Sequence, residues 1–456
     1  MGDRLENIYY ASPVWLQNLL VSAHGYRLYR QRYSGRFKEI RSLLAESRSW
    51  TESQRLDYQN EKLHEMVRFC RHNVPYYQKL FSEHGISEQD ITHVDDLHKI
   101  PILEKDTLRH NADAFRALGA RPYILQTTSG STGTPLTLSV DETTYKMAMA
   151  LVVDHEEYHG IPFGARRATF AGRMVQKASD LSPPFWRFNR AENQRLYSSY
   201  HLNKDSFPAY QRDLNAFAPL ELIGYPSAIA DIASYFESAD ARPRFQPKAI
   251  ITNSETLLAW QRDRIERVFQ CPVRDYYGSA EYVVFAAQDE NGLYQINPTL
   301  GVTEVLPRGN KALQAANIAT TLTNRCMPLL RYRIGDSAEL EPDSHSSTAQ
   351  TVIGRVTGRI DDYLETPDGR KIGRIDHIFK GLSGIKEAQV IQTDMNRCVV
   401  KVVAQEKEFS QITKEITVNL KKRTFSGMNV EVEFVRQIPK GPNGKFRSVM
   451  RVKDER

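Results

Sequence analysis

The sequence has little cysteine, no long uninterrupted apolar run, no internal repeat and no large excess of either charge. Four cysteines occur in 456 residues, Cys70, Cys271, Cys326 and Cys398. They are too far apart to give any pair with metal-ligand spacing. They read as small core residues of a cytoplasmic protein in a reducing compartment, with only Cys326 close to a segment of interest, Arg331 to Asp336. The apolar patch Val14-Trp15-Leu16 and Leu19-Leu20-Val21 is interrupted by Gln17 and Asn18 and preceded by Pro13. It is too short and too polar for a transmembrane span or a signal peptide. The net charge of +6 favours anionic ligands. No basic, aromatic-interleaved motif points to a nucleic-acid partner. Apolar and charged fractions of 41% and 25% lie near globular averages, which excludes wholesale disorder and fibrous architectures. The length implies more than one domain.

What is present is more pointed. The run Thr127-Thr128-Ser129-Gly130-Ser131-Thr132-Gly133-Thr134-Pro135 consists of hydroxyls and glycines closed by a proline. Glycine permits close backbone approach, and hydroxyls add rotatable donors, so the loop suits a polyphosphate. No Gly-Lys-Ser/Thr follows, so it is not a Walker loop, and Gly-x-Gly-x-x-Gly spacing is missing. A flexible surface linker has the same composition.

The first quarter reads as helical, with Leu56, Leu63, Met66, Val67 and Cys70 at helical spacing before Asn73-Val74-Pro75. The stretch from Tyr26 to Arg36 mixes rings with guanidiniums. That pattern fits peripheral contact with a membrane surface or partner and, more commonly, a packed helix with a solvated basic face. Further on, short apolar runs at Ala249–Ile251, Val352–Ile353, Cys398–Val403 and Val430–Val435 predict strands, and Leu257–Phe269 and Gln411–Arg423 predict helices. This alternation predicts an α/β architecture with a mixed or parallel sheet. Glu339 to Gln350 reads as a polar connection.

Downstream lie Asp275-Tyr276-Tyr277-Gly278-Ser279-Ala280-Glu281, Tyr332-Arg333-Ile334-Gly335-Asp336, Gly358-Arg359-Ile360-Asp361-Asp362 and Pro439-Lys440-Gly441-Pro442-Asn443-Gly444-Lys445. In order and spacing these resemble the adenylate-forming superfamily of acyl-coenzyme A synthetases and peptide-synthetase adenylation domains. Asn73-Val74-Pro75-Tyr76-Tyr77, Ile100-Pro101-Ile102-Leu103-Glu104-Lys105 and Gly224-Tyr225-Pro226-Ser227 are similar to the phenylacetate-coenzyme A ligase branch, including relatives found with capsular polysaccharide genes.

The resemblance implies a large N-terminal adenylate-forming domain of mixed sheets over residues 1–357, helical to about 115, and a small mobile α+β domain over 358–456. It implies ATP-dependent activation of a carboxylic acid to an acyl-AMP with release of pyrophosphate. Transfer to coenzyme A or to another thiol, amine or sugar acceptor would follow. By the same resemblance Thr128, Ser129, Gly130, Ser131, Thr132 and Gly133 grip the ATP phosphates, and Glu281 is a ligand of Mg2+. Ser254, Glu255, Asp275, Tyr276, Tyr277, Gly278, Ser279, Asp336, Arg359 and Lys371 belong to the nucleotide site. Tyr277 is expected against adenine, Asp275 on its exocyclic amine, and Asp336 on the ribose hydroxyls. Lys445 is the expected catalytic lysine and Asp361 the hinge. Tyr225, Pro226, Ser227 and Arg173 are candidates for the acid pocket, with His155 and His159 nearby in sequence. One departure stands out: Leu136 follows Pro135 where many synthetases carry lysine. Two other readings stay open, an adenylyltransferase that leaves AMP on a hydroxyl and a non-catalytic nucleotide-binding protein of a glycan-assembly complex.

Overall fold

The computed structural model describes residues 8–127, 136–173, 175–177, 180–199, 201–308, 311–339, 351–359, 364–367, 371–372, 375–379, 382, 385–405, 408–439 and 446–452. The chain opens with α1 (Val14–Tyr33), α2 (Phe37–Ser47), α3 (Glu52–Asn73), α4 (Pro75–Glu83) and the short α5 (Lys105–His110). Helix α3 starts at a capping box, in which Thr51 accepts from the Gln54 N–H and Gln54 accepts from the Thr51 N–H. It ends where Val74 precedes Pro75, since the proline ring disfavours helical geometry before it. Its buried stripe contains Leu63, Met66, Val67 and Cys70, as the spacing predicts. Gly25 lets α1 lie close to Asn189, because a Cβ there would stand 2.0 Å from Asn189 Oδ1.

A hairpin follows, β1 (Ile124–Thr127) paired antiparallel with β2 (Thr137–Val140), then α6 (Glu142–Tyr158), capped by Asp141. The strands β3 (Arg167–Ala171), β4 (Trp186–Asn189), β5 (Gln194–Ser198), β6 (Glu221–Gly224) and β7 (Ala249–Thr252) come next, with α7 (Phe207–Phe217) and α8 (Pro226–Ser238) among them. After α9 (Ala259–Phe269) come β8 (Val273–Gly278), β9 (Phe285–Gln288), β10 (Tyr294–Ile296), β11 (Gly301–Arg308), β12 (Lys311–Thr321), β13 (Tyr332–Glu339), β14 (Val352–Ile353) and β15 (Arg355–Arg359).

Nine strands form one sheet in the order β14-β10-β9-β8-β7-β6-β3-β5-β4. Its centre, β5-β3-β6-β7-β8, is parallel. Strands β6 and β7 are buried along their whole length, which is why β7 reads as a continuous apolar run rather than an alternating one. A second sheet has the order β11-β12-β13-β15.

The last portion holds the short pair β16 (Leu364–Glu365) and β17 (Lys371–Ile372), then β18 (Ile385–Asp394), β19 (Arg397–Ala404), α10 (Phe409–Arg423), β20 (Asn429–Phe434) and β21 (Val449–Arg451). Four of these strands form a sheet ordered β20-β19-β18-β21. Its core is built from residues between Leu364 and Val449 alone, with Ile412, Ile416 and Leu420 of α10 packed on Val390, Val400 and Val402. Among the described residues, no helix is long and apolar enough to cross a membrane.

Candidate functional site

Parallel strands present their carboxyl ends along one edge, where open α/β sheets bind ligands. Here the edge is stitched by the backbone: Tyr225 N–H donates to Phe170 O at 2.8 Å and Asn253 N–H to Gly224 O at 3.1 Å. Gly224 has φ 148°, and a Cβ at this position would lie 1.9 Å from the Phe170 carbonyl oxygen, so only glycine fits. The edge carries Arg173 after β3, Tyr225 to Ser227 after β6, Ser254 and Glu255 after β7, and Tyr277 to Glu281 at the end of β8. Three non-glycine residues with left-handed backbone border it, Ser254 (φ 68°), Tyr282 (φ 55°) and Arg331 (φ 51°). Such strain concentrates at sites that the surrounding fold holds in place.

Glu281 is buried, and its Oε1 accepts from the Tyr332 hydroxyl at 3.0 Å and faces Lys105 Nζ at 3.4 Å. Its other oxygen has no hydrogen-bond partner among the described residues. Lys105 is delivered there by a built structure. Leu103 pairs with the start of β13, its N–H donating to Arg331 O and its carbonyl accepting from Arg333 N–H, both at 3.0 Å. The Arg331 guanidinium lies against both oxygens of Glu304 and also donates to the carbonyls of His98 (3.0 Å) and Ile100 (2.9 Å). Burial pushes the Glu304 carboxyl up, and Arg331 opposes that shift. Lys105 and Tyr332 both lie in segments that resemble the family, Ile100–Lys105 and Tyr332–Asp336, but sequence alone gives neither a role. The signal was present in Ile100–Lys105, but the pairing with Glu281 spans 176 residues.

Tyr277 and Asp336 also come together, with the Tyr277 hydroxyl donating to Asp336 Oδ2 at 2.7 Å. Asp336 stands opposite Arg359 in the β13–β15 pairing, so the backbone places these two residues side by side. Gly335, at φ 92°, sets the turn of the strand just before the carboxylate.

Two expectations need correction. Strand β8 alternates faces, so Tyr276 points away from Tyr277, and its ring stacks on Phe285 at 5.3 Å in the layer beneath. A nucleotide lying against Tyr277 does not meet the Tyr276 ring. Asp275 is turned inward, with Oδ1 accepting from Thr252 Oγ1 at 2.5 Å and Oδ2 from the Tyr294 hydroxyl at 2.6 Å. With both oxygens engaged and the residue buried, Asp275 supports the end of β8 rather than reaching a base. Burial pushes its carboxyl up to about 7, against the pull of those two hydrogen bonds.

Glu255 occupies an unforeseen position. Its Oε2 accepts from the Ser227 N–H in the first turn of α8 at 3.2 Å, and its Oε1 accepts from the Phe446 N–H at 2.6 Å. A residue of the last module, next in sequence to Lys445, is therefore tied to the edge of the main sheet. The hydroxyls of Ser227 and Ser279 are shielded from solvent and have no hydrogen-bond partner among the described residues. Each is free to donate to a ligand at this edge.

Thr128 to Gly133, Asp361 and Lys445 lie outside the described residues. The backbones of Arg359 and Lys371 are described and their side chains are not. The base of the hydroxyl loop is in place, since the Tyr282 hydroxyl donates to Gln126 Oε1 at 3.4 Å, beside Glu281. Leu136 is buried in the core with Tyr332 and Val302, so this position serves packing where many relatives place a cation. His155 is buried and pushed down to about 3 by desolvation, and His159 Nε2 lies 2.9 Å from Gln288 O. Both are structural. A buried Arg167–Glu156–Glu221 cluster sits at the amino ends of β3 and β6, remote from the ligand edge. The free cysteines are buried, and Cys326 makes only a backbone contact to Arg121 O at 3.5 Å.

Residues 364–452 match the family model described as the CapK C-terminal domain. Over 454 residues the chain is 32% identical to Protein CapK of Staphylococcus aureus, covering 97% of this chain and 98% of that protein. It is 24% identical to a phenylacetate-coenzyme A ligase of Pseudomonas putida, covering 67% and 71% of the two chains. In fold it is similar to 2-hydroxyisobutyryl-CoA ligase in a post-adenylation state, with a TM-score of 0.66, 17% identity and coverage of 89% and 91%. Against that ligase in its thioesterification state the TM-score is 0.53.

Proposed function

Because the chain belongs to the adenylate-forming superfamily, in the phenylacetate-coenzyme A ligase-like branch that includes protein CapK, we propose that it activates a carboxylic acid with ATP. The products of this step are an acyl-AMP and pyrophosphate, and the acyl group then passes to coenzyme A or another acceptor in the cytoplasm. The observation that supports the reading is the gathering along one sheet edge of Glu281 with Lys105, Tyr277 with Asp336, and Glu255 with Phe446.

In this reaction a carboxylate attacks the α-phosphorus of ATP. Two anions must meet, so the site has to neutralise charge and fix an in-line approach. Asp336 offers two acceptor oxygens to the two ribose hydroxyls, and the hydrogen bond from Tyr277 fixes its rotamer while the Tyr277 ring faces the base. Thr128 to Gly133 take the β- and γ-phosphates, and the Ser279 hydroxyl adds a donor at the same edge. Magnesium suits the donor set, since Glu281 keeps one carboxylate oxygen open beside Lys105, and Mg2+ takes one or two carboxylates plus phosphate oxygens. Its contribution is to neutralise phosphate charge. Lys445 approaches the α-phosphate, held within reach while Glu255 binds Phe446. Residues 358–456 act as a lid hinged at Asp361 that withdraws Lys445 once the adenylate has formed.

The test is Lys445→Ala. Pyrophosphate release with Mg-ATP and acid should be abolished, while consumption of a supplied acyl-AMP by the acceptor is comparatively spared. Survival of both half-reactions would overturn the assignment.

A further inference from the structure

Beside the ligand edge stands a group of arginines that the proposed adenylation chemistry does not use. Arg173 follows β3 through a tight turn in which its N–H donates to Ala171 O at 2.8 Å, and the residue is exposed. Across from it, Arg32 of α1 donates to Glu192 Oε1 at 3.0 Å and to the Tyr145 hydroxyl at 3.3 Å. Glu192 also accepts from the Tyr33 hydroxyl at 3.2 Å and from the Asn189 amide at 3.0 Å, so that acid is fully committed. Arg173 makes no hydrogen bond or ion pair with its guanidinium among the described residues. It nevertheless lies within electrostatic reach of Arg32, Glu192, Tyr145 and Tyr225. The same charges act on His24, whose imidazole is pushed down by desolvation and then by Arg173, Arg27 and Arg32. Arg32 thus takes the carboxylate of Glu192 that Arg173 also faces.

In the sheet order β8-β7-β6-β3 the edge runs from Tyr277 and Glu281 past Glu255 and Tyr225 to Arg173. Tyr145 packs edge-on to Tyr282 at 6.4 Å, and Tyr282 follows Glu281. Tyr225 leads directly into Ser227, whose N–H is held by Glu255. A molecule with its reacting carboxylate at the α-phosphate would extend towards Arg173. An uncommitted guanidinium flanked by tyrosine hydroxyls is suited to a bidentate anion.

We propose that the acid activated at this site carries a second anionic group, a carboxylate or a phosphate, and that Arg173 binds it. The inference rests on the acid-activation reading above and assigns Arg173 as a specificity-determining residue.

The experiment measures pyrophosphate release with Mg-ATP for length-matched acids in three arms: a monocarboxylic acid, the corresponding dicarboxylic acid and the corresponding phosphate-bearing acid. Wild-type protein, Arg173→Gln and Arg173→Lys are compared, with thermal unfolding as the check that the variants fold. The wild type should favour one of the doubly charged acids over the monoacid by roughly 10- to 100-fold in kcat/KM, the range of one charge-assisted pair. The preferred arm identifies the anion. Arg173→Gln should bring this ratio close to one, chiefly through KM, and Arg173→Lys should keep part of it. An equal loss for all three acids would place Arg173 on the reacting carboxylate or the nucleotide and overturn the proposal, as would a wild-type preference for the monoacid. If no acid in any arm releases pyrophosphate with folded wild-type protein, the parent reading fails, and this inference with it.

Discussion

Glu255→Gln tests how the last module is held over the site. In the wild type each carboxylate oxygen accepts one backbone N–H, that of Ser227 at 3.2 Å and that of Phe446 at 2.6 Å. Glutamine keeps one acceptor. Its amide oxygen can stay with Ser227, where the N-terminus of α8 also favours an acceptor, but then its NH2 faces the N–H of Phe446, donor against donor. The charge-assisted bond to the tail is lost, and such bonds are worth about 1.5–3 kcal/mol. Since about 1.4 kcal/mol is a factor of ten, docking of the tail should weaken roughly 10- to 150-fold.

On the proposed mechanism the docked tail supplies Lys445, so single-turnover pyrophosphate release should fall by up to that factor. Consumption of a supplied acyl-AMP by the acceptor should hold or rise, because it does not need the lysine. Phe446→Pro removes the donor from the other side, and the double variant should be little worse than either single one. Equal losses in both half-reactions would mean that Glu255 touches substrate. Full additivity of the two changes would mean that the hydrogen bond does not carry the docking energy.

Lys105→Met removes the cation beside Glu281 and should lower the rate of adenylate formation by about 10-fold or more at saturating acid, with stopped-flow pyrophosphate detection as the readout. Gly224→Ala forces a Cβ to 1.9 Å from the Phe170 carbonyl and should destabilise the fold by several kcal/mol, about 3 or more, read as loss of the cooperative urea transition or of soluble protein. Asp275 has a folded pKa of about 7, above the roughly 3.9 of an unfolded aspartate, so its contribution to stability is full below about pH 4 and is lost as pH rises to 7. At about 1.4 kcal/mol per pKa unit, the loss is at most about 4 kcal/mol. Asp275→Asn should therefore flatten the fall in urea midpoint between pH 5 and pH 8, and an unchanged slope would disprove the raised pKa.

Much of the fold could be read from periodicity because the relevant forces are local. Helix α3 announces itself by its apolar stripe and Pro75, and β7 by the unbroken run Ala249–Ile251, whereas β6, bounded by Glu221 and Gly224, carries only two apolar residues and gives no such signal. The starts of α9 and α10 differ by two residues from the expected ones, one later and one earlier, while their ends coincide, which is the ordinary scatter of helix termini. The site was legible as an ordered set of words, but word order does not say which way a side chain points. Asp275 and Tyr276 were drawn into the nucleotide site by adjacency to Tyr277, whereas the two-residue period of β8 and the buried partners Thr252 and Tyr294 send them elsewhere. The converse held for Lys105, whose partner is distant in sequence and whose placement depends on Arg331 gripping two carbonyls.

The bond between Glu255 and the tail engages the main chain of residue 446, and the tail's core closes on itself. Any residue but proline supplies that donor. This contact is blind to side-chain identity at position 446, so drift there leaves the tie to the sheet edge intact as long as proline is avoided.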